Sequence, residues 1–116
     1  DKMARIAELV ETHGIRREHG RIVADDPSGQ LPDDAPVSMN LWGLPEAALA
    51  RLPGQWAAFH AAHSDDPSAE FLLPEALDQQ RAEGLLPIDV VGTEEPWIGI
   101  TSREDLETAR TALAET

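Results

Sequence analysis

Ser38, Asn40 and Trp42 stand two residues apart in Val37-Ser38-Met39-Asn40-Leu41-Trp42, alternating with three apolar side chains. That is the period of a strand. It would place a hydroxyl, an amide and an indole N–H on one face and Val37, Met39 and Leu41 on the other. Three hydrogen-bonding groups in a row suit a hydroxyl-rich ligand such as a sugar. The plainer alternative is a core strand whose polar face is only solvated. Gly43 ends the run, and Pro45 fits the first turn of a helix, where a missing N–H costs nothing.

Other chemistry-bearing groups have ordinary explanations. His60 and His63 share one side of a helix and are followed by Asp65 and Asp66, a spacing that could hold a metal. Histidines in the last turn of a helix already interact favourably with its dipole, so the metal is the weaker explanation. Arg16 and Arg17 could meet a phosphate, but neighbours on a strand point to opposite sides and stay solvated. Glu94-Glu95 reads as a charged turn rather than a paired acid and base. No Ser/His/Asp arrangement suggests nucleophilic catalysis. Trp42, Trp56 and Trp97 read as core anchors.

The elements that must position these groups follow from pattern and composition. The chain has 116 residues, 41% of them hydrophobic, enough for one small folded domain or part of one, residues 1–116. It carries 9 Lys plus Arg against 22 Asp plus Glu, a formal charge of −13. Such a surface repels nucleic acid and anionic lipid, so neither is expected as a partner. A phosphorylated small molecule would need cations or a metal supplied locally. The absence of cysteine excludes disulfides and thiolate metal sites. No membrane span or secretory signal is visible, which makes a cytoplasmic location the default. Asp1 is not an initiating residue, so the chain reads as a piece of something longer or as a trimmed product.

Short strands are expected in 3–12 and at Ile15 and Ile22-Val23-Ala24, with Gly14 and Gly20 in turns. Residues 25–36 read as an exposed loop. Pro45 to His63 should form two short helices or one kinked at Pro53-Gly54, with Trp56, Phe59, His60 and His63 on one face. A helix should begin near Pro74 and stop at Gly84, with Leu73, Ala76 and Leu77 buried. Strands are expected at 86–91 and 97–100. A last helix should follow Ser102, with Asp105 completing a capping-box-like pair and Leu106, Ala109 and Leu113 facing inward. The order predicts an α/β fold, a mixed sheet with helices packed on it.

Three blocks carry a resemblance: Val37-Ser38-Met39-Asn40-Leu41-Trp42-Gly43, then Ala69-Glu70-Phe71-Leu72-Leu73-Pro74, then Trp97-Ile98-Gly99-Ile100-Thr101-Ser102-Arg103-Glu104-Asp105-Leu106. In order and at this spacing the set resembles the C-terminal half of the sugar nucleotidyltransferase (NDP-sugar pyrophosphorylase) family, a Rossmann-like α/β/α fold. The resemblance implies transfer of NMP from an NTP to a sugar 1-phosphate, with Mg²⁺ as cofactor and pyrophosphate released. It also implies that this half builds the sugar pocket. Val10-Glu11 resembles the family's strand-ending Val-Glu, where the carboxylate accepts from sugar hydroxyls. Ser38 and Asn40 match its sugar-lining strand, and Glu70 matches the acid at the pocket rim.

Two departures bear on activity. The family's glycine-rich nucleotide loop is absent: no Gly-x-Gly occurs, and Lys2 is the sole lysine. These residues alone are therefore expected to be inactive, and NTP and sugar phosphate to be ligands of the full-length protein. Where relatives place a metal-binding acid before the last helix, this chain has Gly99 or Thr101, and only the Thr101 hydroxyl could serve. The alternative is a non-catalytic binding or assembly module that keeps this half of the fold. Half of a covered sheet would expose an apolar edge, so a homodimer or association with an N-terminal half is expected.

Overall fold

A computed structural model describes residues 3–115. It is mixed α/β, with five short strands in two antiparallel sheets and three helices.

The first sheet is a ribbon of β1 (Met3–Arg5) and β5 (Asp89–Val91), in register Met3↔Val91, Ala4↔Val90 and Arg5↔Asp89. The Ile6 N–H continues the ladder onto the Ile88 carbonyl at 2.9 Å. The second sheet is a meander of β2 (Arg16–Glu18), β3 (Arg21–Asp25) and β4 (Ser28–Leu31). His19 and Gly20, at φ +52° and +78°, form the two-residue turn between β2 and β3. Two positive φ values match the right-handed twist of the flanking strands. Asp26 and Pro27 turn β3 into β4.

The helices are α1 (Glu46–His63), α2 (Leu73–Ala82) and α3 (Glu104–Ala114). Pro45 opens α1 and Pro74 lies in the first turn of α2, as their missing N–H groups favour. Gly84, at φ +76°, stops α2 in the left-handed conformation that glycine adopts without a Cβ penalty. The chain stays helical through Pro53-Gly54, so α1 is one helix.

The main core lies where α1, α2 and the approach to β5 meet. Ala48, Leu77, Leu86 and Ile88 are buried there, with Ile6, Trp42 and Leu44 packed against them. A buried amide network joins α1 to α2. Gln80, 1% exposed, donates from Nε2 to the Ala48 carbonyl at 3.1 Å and to Gln55 Oε1 at 2.8 Å. Its Oε1 accepts from Arg51 at 3.2 Å. Gln55 in turn donates to the Ala76 carbonyl at 2.7 Å. Every polar atom of Gln80 is thus paired, which a buried amide requires.

Several expectations are corrected. Residues 37–42 are not a strand: Asn40 sits at φ +56°, and its N–H turns back onto Ser38 Oγ at 3.0 Å. A local side-chain bond of this kind competes with a sheet ladder. The faces are also reversed, since Trp42 and Leu44 reach the core while Val37, Met39 and Leu41 are exposed. Residues 97–100 form no strand either. Trp97 is 64% exposed, its ring folded over Gly99 where a Cβ would otherwise sit. Trp56 is half-exposed rather than a core anchor. Conversely, the stretch expected as a loop at 25–36 contains β4 and the end of β3. The single mixed sheet is replaced by two separate antiparallel ones. No helix is long and apolar enough to cross a membrane among the described residues.

Candidate functional site

The α2 helix separates two open grooves. The first, about 350 Å³, lies between α1 and the entry to α2, with Phe59, His63, Glu70, Phe71, Glu75 and Gln79 on its walls. The second, about 340 Å³, lies between residues 8–11 and α2, with Glu8, Glu11, Glu75, Asp78 and Gln79. Glu75 and Gln79 are common to both, so they form the ridge between them.

An aromatic cluster stiffens the first groove. The Phe59 and Phe71 centroids are 5.3 Å apart, and Trp56 meets Phe71 edge-on at 5.7 Å. The His63 ring stacks on Phe59 at 4.3 Å, with Nδ1 2.9 Å from the Phe59 carbonyl oxygen. Trp56, Phe59, His60 and His63 do share one helix face, as their spacing predicts.

The second groove is pinned by Asp78. Its Oδ1 accepts from the Leu9 N–H at 2.9 Å and from Arg81 Nε at 2.7 Å. The Arg81 guanidinium, with smaller help from the Leu9 N–H, holds the Asp78 carboxyl below the usual range against the opposing effect of burial. Residues 8–11 follow β1 with no ladder of their own, so this bond fixes Glu11 beside α2. The His13 ring lies beside Glu11, with Nε2 3.9 Å from Oε1.

Two of the four candidate sugar ligands thus reach the grooves: Glu70 lines the first and Glu11 the second. Ser38 and Asn40 line neither, being exposed in the irregular segment before α1 and bonded to each other. Sequence reasoning missed Glu75 and Gln79. Their i, i+4 spacing on the polar side of α2 was the available signal.

Thr101 is committed elsewhere. Its Oγ1 and N–H donate to Asp105 Oδ2 at 3.0 and 2.9 Å, and the Ser102 N–H donates to the same oxygen at 3.1 Å. Half of the expected capping box is therefore present, with Asp105 reaching back to the backbone. The Thr101 bonds, then that of Ser102, lower the Asp105 pKa. This donor set does not fit magnesium. Among the described residues no group of three or more His, Cys, Asp or Glu side chains is placed to hold a metal.

No protein-family model, curated protein or solved structure matches the chain.

The side chains lining the grooves offer hydrogen bonding and apolar contact. Carboxylates accept from hydroxyls, amides both donate and accept, and aromatic rings offer apolar faces to a sugar's C–H groups. The nearby cations are occupied: Arg81 by Asp78, and Arg51 by Gln80 and the Leu85 carbonyl at 3.3 Å. A phosphate would find little positive charge here.

Proposed function

We propose that this chain is the sugar-holding part of a nucleotidyltransferase-like protein that passes NMP from an NTP to a sugar 1-phosphate. Glu11, Glu70 and Glu75 accept hydrogen bonds from the sugar hydroxyls across the α2 ridge, and Phe71 supplies an apolar wall. The observation that carries the reading is the placement of Glu11 and Glu70, 59 positions apart in sequence, in two grooves that share Glu75 and Gln79. The motif resemblance that singled out Glu11 and Glu70 supports it too. In this reading Ser38 and Asn40 only shape the entry to α1.

The phosphate end of the ligand, the nucleotide and any Mg²⁺ would be held by residues outside these grooves, because neither groove is lined by Arg or Lys and the nearby Arg51 and Arg81 are already paired. The chain alone should not release pyrophosphate.

The test is saturation-transfer NMR with hexose 1-phosphates. Saturable transfer to the ring protons is expected, weakened about tenfold in affinity by Glu11→Gln or Glu70→Gln, the effect of one lost hydrogen bond to a charged group. Absence of saturable transfer at millimolar ligand would overturn the reading.

A further inference from the structure

The molecule exposes more surface than a chain of its size should. Its accessible area is 9211 Å², whereas a compact 12.6 kDa protein would expose about 6,200 Å². Its radius of gyration is 17.0 Å, against about 13 Å for a compact chain of this length. The excess, roughly 3,000 Å², is well above the ~800 Å² per partner of a standard protein interface.

The β1–β5 ribbon is the element most plainly incomplete. Two strands of three residues are marginal on their own. The Ile6 to Ile88 bond and the register place Ile88 and Val90 in hydrogen-bonded positions toward the first strand. Asp89 and Val91 therefore direct their backbone N–H and C=O groups to the other edge. Those four groups make no hydrogen bond among the described residues. The Val91 side chain beside them is 67% exposed. An open edge of this kind is a template for another strand.

Charge selects what docks there. Asp89 is already paired with Arg5 at 2.6 Å, so the selection comes from the charge of the chain as a whole, −13, which disfavours a second copy. A positively charged extended segment would be attracted.

We propose that the outer edge of β5, at Asp89 and Val91, accepts an extended basic segment of a partner protein as an added strand. The proposal needs no ligand in either groove and goes beyond the sugar reading.

The probe is a capped ten-residue peptide of alternating Val and Lys, with a Val/Glu peptide as control, titrated by calorimetry into the protein. The Val/Lys peptide should bind at least tenfold more tightly. Amide hydrogen exchange at Asp89 and Val91 should slow at least tenfold in the complex. Val91→Pro removes an outward N–H that the β1 ladder does not use, and should weaken binding at least tenfold at unchanged charge. Val91→Lys keeps the strand, adds a positive charge at the edge, and should also weaken it. Equal affinity of the two peptides would overturn the proposal, as would unchanged affinity in both variants. Protection of the same amides in a dimer of this chain, seen by sedimentation, would overturn it in favour of a second copy.

Discussion

Asp78 on α2 accepts the Leu9 N–H at 2.9 Å, and this bond holds the segment bearing Glu11 against the helix bearing Glu75. Removing the carboxylate should free that segment. Asp78→Ala should cost about 1.5 kcal/mol of stability, the low end for bonds to a charged group, since the side chain is 21% exposed. It should also speed exchange of the Leu9 amide. Chemical denaturation and amide exchange check the two effects.

The same carboxylate sets a pH dependence. Its folded pKa is lowered below the ordinary 3.8, so its stabilising contribution is present above that value. The contribution is lost as pH falls through the lower folded value. Asp105 behaves in the same sense. Thermal melts from pH 7 to pH 2 should show stability falling only in the acid range below about pH 4. Asp78→Asn should lose part of that acid-range slope.

The Gln80 amide is the polar hinge of the α1–α2 contact. Gln80→Ala leaves Gln55 Oε1 without its donor at a partly buried site, and the Ala48 carbonyl with only its partner inside α1. The expected loss is about 1–3 kcal/mol per unsatisfied group. Because both grooves lean on α2, their affinity for ligand should fall with it. Urea denaturation measures the first effect and ligand titration the second.

At the start of α3, Asp105→Ala should release the Thr101 and Ser102 N–H groups together. Among the described residues no strand or other helix brings its backbone close to α3, and Ala109 is its one buried side chain. The loss should therefore be local, with fast exchange at those two amides and helical signal lost from 104–114, and little change in the melting of α1 and α2.

The helices were legible because their signals are local. Pro45, Pro74 and Gly84 mark ends by what their backbones can and cannot do, and Ala76 and Leu77 mark the buried side of α2. The strands were less so. The β4 residues Ser28-Gly29-Gln30-Leu31 carry no apolar alternation, and pairing with β3 alone makes them a strand. Residues 37–42 fail in the opposite sense: the period is strand-like, but the Ser38–Asn40 turn and the pull of Trp42 and Leu44 into the core override it. Among the groove residues, Glu70 stands in one of the motif blocks and Glu11 in the Val10-Glu11 pair, so both were singled out from the sequence. Glu75 and Gln79 were not, because a polar helix face looks the same whether it meets water or a ligand.

The most direct test of the sugar-holding account is chemical-shift mapping with glucose 1-phosphate on the ¹⁵N-labelled protein. The account predicts saturating shifts centred on Glu11, Glu70, Glu75 and Gln79, with Ser38 and Asn40 unmoved and Ser38→Ala without effect. Shifts centred on residues 38–40, or none at millimolar ligand, would contradict it.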